Sequence, residues 1–176
     1  MQFRSGLYIV PTDRWYIERT VWLIAGFFVL TATALAVFVD PRFVVFVAAT
    51  GLASMVVAFT GFCIIGNMLH RLGFRGALAE GGDSAKWYFM KTDRWYLERR
   101  IYLVVGFNLC LASVLTLVHS HWWLAFPGFV GFAMLWFAET GFCIMANMLY
   151  WLGAEPRLMP DSAHAGSAAH PAPSHI

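Results

Sequence analysis

The chain has 176 residues, 60% hydrophobic and only 12% charged, with a mean hydropathy of +0.64. A soluble domain carries about 25% charged residues, so an ordinary water-facing surface is excluded, whereas hydrocarbon outside the protein removes the need for charge. The net charge of +2 names no partner by its total, and three cysteines, Cys63, Cys110 and Cys143, do not make a disulfide framework.

Residues 1–11 form a short polar-aromatic lead without the small-residue cleavage site of a signal peptide. Thr12 is placed to cap a helix, with Asp13 in its first turn. Arg14 and Glu18 are four apart and within pairing distance on that helix. Arg14, Trp15, Tyr16 and Arg19 read as anchors at the headgroup level. Positions 20–39 carry no charge, and twenty helical residues reach about 30 Å, a bilayer core. Asp40-Pro41-Arg42 ends this span, because proline cannot continue the hydrogen-bond ladder. A second uncharged run covers 43–69, and the turn between the two permits only an antiparallel helical hairpin.

From residue 70 the chain leaves the membrane, and 74–91 form a cytoplasmic linker loosened by Gly76, Gly81 and Gly82. The pattern then restarts. Arg94, Trp95, Tyr96, Arg99 and Arg100 are the second set of anchors. Spans at 101–118 and 122–152 flank a turn at His119-Ser120-His121, and the fourth span is interrupted by Glu139. The tail, 154–176, is rich in Pro, Ala, Ser and His and reads as disordered. The composition therefore predicts an all-α integral membrane protein with four transmembrane helices.

The restart is a duplication. Positions 12–73 align with 92–153 without a gap, and 26 of the 62 pairs are identical. The domains are thus a first hairpin repeat (1–73), the linker, a second hairpin repeat (92–153) and the tail. Both copies enter from one side, so the repeats are parallel, related by an axis along the membrane normal. Identities concentrate in Thr12–Arg19 and Thr92–Arg99, at Gly26 and Gly106, and in Thr60–Leu69 and Thr140–Leu149. The turns have diverged.

Candidate chemistry lies in the second repeated block. Phe59, Cys63 and Asn67 share a helical face at i, i+4, i+8, as do Glu139, Cys143 and Asn147. With Thr60, Thr140 and Asn108 they make an intramembrane polar stripe. Thiolate chemistry needs a nearby positive charge or a helix N-terminus. These cysteines stand late in apolar runs, which favours a packing role beside Gly61 and Gly141. Glu139 is the sharper anomaly, since a carboxylate within a span is expensive and points to function by default. Its copy partner is Phe59, and Asn108, opposite Phe28, is a candidate hydrogen-bond partner. His119 and His121 beside Trp122 and Trp123 suit a polar-aromatic membrane edge better than a metal site. His164, His170 and His175 are too scattered for one. No P-loop, dinucleotide fingerprint, CxxC, HExxH or nucleophile elbow occurs, so no catalytic residue, metal or cofactor is assigned.

Gly61-Phe62-Cys63 and Gly141-Phe142-Cys143, each late in an apolar hairpin behind an arginine-bearing lead, resemble the YgaP-like inner-membrane family. That family has two-span hairpins with a Gly-x-Cys-Pro motif, and the chain is similar to two such units in tandem. Ile64 and Ile144 stand where the family has proline. The resemblance implies a bacterial inner-membrane location. Some relatives carry a sulfur-transferring rhodanese domain, which this chain lacks, so sulfur handling is an analogy only.

These features point to a non-enzymatic inner-membrane accessory or scaffold protein, packing against another membrane protein or its own copies. The alternative is a conduit or carrier for a small sulfur species or other solute, using the cysteines and Glu139. The basic side suits anionic lipid headgroups, not nucleic acid. Eleven of the twelve Lys and Arg lie in the lead, the anchors, the stretch 70–91 and the tail; Arg42 alone lies in a hairpin turn. The positive-inside rule then places both termini in the cytoplasm. Reporter fusions at position 83 and at the C-terminus are both expected to report cytoplasm; a periplasmic signal at either refutes the charge count.

Overall fold

The computed structural model describes residues 6–80 and 85–158. Most of the expected disordered tail, with His164, His170 and His175, lies outside them. The described residues are helical, without a strand: α1 (Ile17–Phe38), α2 (Val44–Thr60), α3 (Ile64–Arg71), α4 (Leu97–Val118), α5 (Ala125–Thr140) and α6 (Ile144–Trp151). Short 3-10 turns at Pro41–Phe43 and His121–Leu124 lead into α2 and α5. Four segments, Ile17–Phe38, Pro41–Thr60, Leu97–Val118 and His121–Thr140, are long and apolar enough to cross a membrane.

Two of these spans are shorter than their apolar runs. The runs at 43–69 and 122–152 each divide at a glycine, because hydropathy does not encode a helix end. Gly61 (φ 73°) and Gly141 (φ 72°) are left-handed C-caps whose amides return to Val57 O and Phe137 O. A side chain there would be strained. Thr60 and Thr140 support the corner, each accepting from the amide two residues on, Phe62 N at 3.1 Å and Phe142 N at 3.2 Å. The chain then restarts as α3 and α6, eight residues each. At about 12 Å they add nothing to a crossing. The hairpin turns are alike although their sequences differ. Asp40 accepts from Arg42 N at 2.7 Å, and Ser120 Oγ accepts from Trp122 N at 3.3 Å.

The main packing runs across the copies. α1 lies against α5 and α2 against α4, whereas the two helices of either hairpin touch far less. Each packing unit therefore straddles the boundary between 1–73 and 92–153. Glycines set both crossings. A Cβ on Gly51 would stand 2.8 Å from Gly106 O, and one on Gly106 2.5 Å from Gly51 O. At the other crossing, a Cβ on Gly26 would stand 3.0 Å from Gly131 O. Such approaches need small residues. Trp22 and Tyr102, equivalent in the two copies, meet in the centre with ring centroids 4.5 Å apart.

The segments read as linker and tail are partly core. Leu78, Tyr88, Met90 and Ala154 are buried. Their burial comes from long-range contacts that no local composition signals. Gly106→Leu is expected to force α2 and α4 apart at a cost of about 1–3 kcal/mol, seen as a lowered melting temperature in detergent. Gly128→Leu is the control, since a Cβ there meets only Thr33 Cγ2 at 3.8 Å.

Candidate functional site

The residues with the strongest chemistry gather where the four long helices meet α3 and α6. Two arginines come first. Arg19, in the first turn of α1, donates through Nε to Ala138 O at 2.5 Å and through Nη2 to Glu139 O at 3.3 Å, the last turn of α5. Its Nη1 donates to Thr12 O at 2.9 Å and Arg14 O at 3.3 Å. Arg99 repeats the pattern on α2, with Nε to Ala58 O at 2.5 Å and Nη2 to Phe59 O at 3.4 Å. Each guanidinium stacks on the tryptophan four residues before it, Trp15 at 3.9 Å and Trp95 at 4.0 Å. Final-turn carbonyls have no helical partner, and a cation suits the negative helix end. Each copy thus caps the second helix of the other.

Two carboxylates form the next layer. Glu18 and Glu98 are only 1% and 3% exposed. Glu18 accepts from Leu78 N at 2.6 Å, Ala77 N at 3.0 Å and Tyr88 Oη at 2.9 Å. Glu98 accepts from Leu158 N and Tyr8 Oη, both at 2.8 Å, and from Arg157 N at 2.9 Å. A buried carboxylate persists only when so satisfied. Asn67 and Asn147 hold the same tyrosines by the backbone. Asn67 accepts from Tyr88 N and donates to Tyr88 O, both at 2.9 Å; Asn147 does the same to Tyr8, at 2.7 and 3.0 Å. Burial raises the Tyr8 and Tyr88 hydroxyls well above the ordinary phenol value, and the adjacent carboxylate adds to it, so both stay protonated donors. The space between Glu18 and Glu98 is a cavity of about 10 Å³, room for one water at most.

The residues expected to form one polar stripe are dispersed. Cys63 and Cys143 do not lie late in a helix; they occupy the N-cap positions of α3 and α6. Phe59–Cys63–Asn67 and Glu139–Cys143–Asn147 are therefore not continuous helical faces, because Gly61 and Gly141 interrupt them. Asn67 and Asn147 are buried clamps, and Thr60 and Thr140 shape the corners. Glu139 is the penultimate residue of α5, exposed, with only its carbonyl engaged by Arg19. Asn108 does not reach it; its Nδ2 donates to Val104 O in its own helix at 2.8 Å.

The anchor set also divides. Arg14, Arg94, Arg100, Trp15 and Trp95 are exposed. Tyr16, Tyr96, Arg19 and Arg99 are buried. Arg14 pairs with Asp13 at 3.3 Å and not with Glu18. At the hairpin end, Trp123 Nε1 donates to His119 Nδ1 at 3.1 Å. No metal-binding group of His, Cys, Asp or Glu occurs among the described residues. The sequence reading missed Glu18, Glu98, Tyr8 and Tyr88. The available signal was the offset itself: Tyr8 and Tyr88, and Leu78 and Leu158, are also eighty apart.

A groove of about 380 Å³ runs between α4 and α5, walled by Phe126, Phe129, Trp136 and Phe137, with Asn108 along it and Cys143 at its end. In the first copy Phe28 stands at the position of Asn108, edge-on to Phe46 at 6.3 Å. Among the described residues nothing donates to the amide oxygen of Asn108.

No family model, curated protein or solved structure matches the chain.

Burial pushes the Cys63 and Cys143 thiols up, against the smaller opposing pull of the first amides of α3 and α6. Less thiolate is then present at neutral pH than for a free thiol. Iodoacetamide should label both more slowly than it labels glutathione, and unfolding should remove the difference. Rapid labelling of the folded protein contradicts this.

Proposed function

We propose that the protein is a non-enzymatic accessory or scaffold protein of the bacterial inner membrane, and that the α4–α5 groove receives a transmembrane segment of a partner protein. The groove is the observation that carries this reading. It lies between two long apolar helices and is lined chiefly by apolar side chains, which suits an apolar, membrane-resident occupant. Its α5 wall extends from Phe126 to Phe137, roughly 16 Å of helical rise. An elongated apolar wall of about three turns suits the side of a helix. Asn108 adds an acceptor of the kind that joins helices in hydrocarbon. The closed centre supports the same reading, because its arginines, glutamates and asparagines are engaged in holding the chain together. Cys63 is buried, Cys143 is only half-buried at the end of the groove, and Glu139 is exposed away from Asn108, so the three do not form one pathway for the sulfur-carrier alternative.

In this reading the two hairpins are parallel repeats about an axis along the membrane normal. The end bearing α3 and α6 faces the cytoplasm and its anionic headgroups.

The test is crosslinking in native membranes followed by native electrophoresis, for wild type and Asn108→Phe. The substitution restores the first copy's residue and should fill the groove. Wild type is expected to migrate in a complex, and the variant to lose the partner while keeping its melting temperature. A second copy as the captured species would make the scaffold a homo-oligomer. A wild type that migrates alone, or a complex indifferent to the substitution, sinks the proposal.

A further inference from the structure

A second apolar surface lies outside the long helices. Ile64 and Met68 on α3, with Leu72 at its C-cap, are exposed. So are Ile144 and Met148 on α6, with Leu152 at its C-cap. The two sets are the same residues at the offset of eighty. Spaced at i, i+4 and i+8, each forms a stripe along the whole of one helical face. Residues on the other side are buried: Gly66, Asn67 and Leu69 on α3, Ala146 and Asn147 on α6.

The extended segments beside these helices present the same kind of outward face. Tyr8 and Val10 are buried while Leu7 and Ile9 are exposed, and Tyr88 and Met90 are buried while Trp87 and Phe89 are exposed. An extended chain turns alternate side chains to opposite sides, and against water the outward set is polar. Here it is apolar at all four positions. Backbone pairing fixes each segment beside a glycine corner, Ile9 to Phe142 and Phe89 to Phe62. Each corner therefore carries an apolar patch made of one short helix and one extended strip.

The surroundings indicate what covers these patches. Each stripe starts three residues beyond Gly61 or Gly141, where a long helix ends. The outer surface of those helices is apolar up to that point, with Phe59 and Trp136 exposed, so the patches continue it. Each patch also has a tryptophan, the residue type of the headgroup level. The Arg71 guanidinium lies over Trp87 at 4.8 Å, and Trp151 Nε1 donates to Gly6 O at 2.8 Å. In a parallel repeat, equivalent residues stand at one depth, so a single bilayer surface meets both patches.

We propose that α3 and α6 lie in the surface of the bilayer that the long helices cross, with both patches immersed where headgroups meet acyl chains. Each stripe runs the length of its helix, so its three residues reach one depth only if the helix axis lies along the membrane plane. Amphipathic helices bind lipid surfaces in this manner. The inference rests on the proposed crossing by parallel repeats, and it does not depend on what the α4–α5 groove receives.

The test uses the full chain in vesicles of phosphatidylcholine and phosphatidylglycerol. Single nitroxide labels are attached through Met68→Cys or Met148→Cys, in a chain carrying Cys63→Ser, Cys110→Ser and Cys143→Ser. Leu52→Cys, at an exposed position within α2, is the lipid reference. Glu80→Cys, at an exposed position after α3, is the water reference. Molecular oxygen concentrates in acyl chains, and a nickel chelate stays in water. Labels at 68 and 148 are expected to be reached by oxygen, to lose the nickel accessibility seen at 80, and to report similar depths shallower than 52. Nickel accessibility at 68 or 148 equal to that at 80, with 52 deep, overturns the inference and leaves the crossing intact. Nickel accessibility at 52 overturns both. Exclusion of both reagents at 68 and 148 means that protein, such as a second copy, covers the patches, and it too overturns the inference. If the cysteine-free chain fails to fold, the wild type is crosslinked in vesicles of diazirine-bearing phosphatidylcholine and mapped by mass spectrometry. Adducts within 64–72 and 144–152 support the inference, and adducts confined to the long helices overturn it.

Discussion

The crossed arginine cap is the constraint on which the rest depends. Arg19 closes the end of α5 and Arg99 the end of α2, so each copy completes a helix belonging to the other. A cation at a helix C-terminus contributes about 0.3–2 kcal/mol. Its structural consequence is larger than that figure suggests. The cap requires α2 and α5 to end at Gly61 and Gly141, which places Cys63 and Cys143 at the start of new helices. It also requires α1 to lie beside α5 and α4 beside α2. The glycine crossings at Gly26–Gly131 and Gly51–Gly106 are the packing answer to that pairing.

Around the caps sits a balanced set of buried charges, two arginines and two glutamates. Buried ion pairs are weak grounds for stability, because desolvation offsets much of their attraction. Here the ions bond chiefly to main-chain atoms and tyrosines, and not to each other. Their contribution is one of specification. Glu18 and Asn67 together fix Tyr88 by side chain and backbone, and Glu98 and Asn147 fix Tyr8. The segments before and after the helical hairpins thereby become part of the core.

Against this near-equivalence, the differences between copies carry the individuality of the molecule. Asn108 lines a groove between α4 and α5, and its counterpart in the first copy is the ring of Phe28. Glu139 opposite Phe59 is the most conspicuous difference in the sequence and the least consequential inside the fold, because it falls at an exposed helix end.

The residues by themselves determined four apolar runs long enough to cross a membrane, the hairpin turns at Asp40-Pro41 and His119-Ser120, and the run of identities at a constant offset. These follow from local quantities: run length, proline and identity. Where each run ceases to be helical was written at Gly61 and Gly141, but glycine also occurs inside these helices, as at Gly26 and Gly51, and only a positive φ distinguishes the two uses. Tertiary structure alone decided that Arg19 and Arg99 are buried caps and not headgroup anchors. It also decided that Glu18 and Glu98 are buried acceptors, and that partner helices come from opposite copies. An arginine two residues into an apolar helix has the same local pattern in either role. Its fate depends on which carbonyls lie opposite, and those belong to residues about 120 positions away for Arg19 and 40 for Arg99.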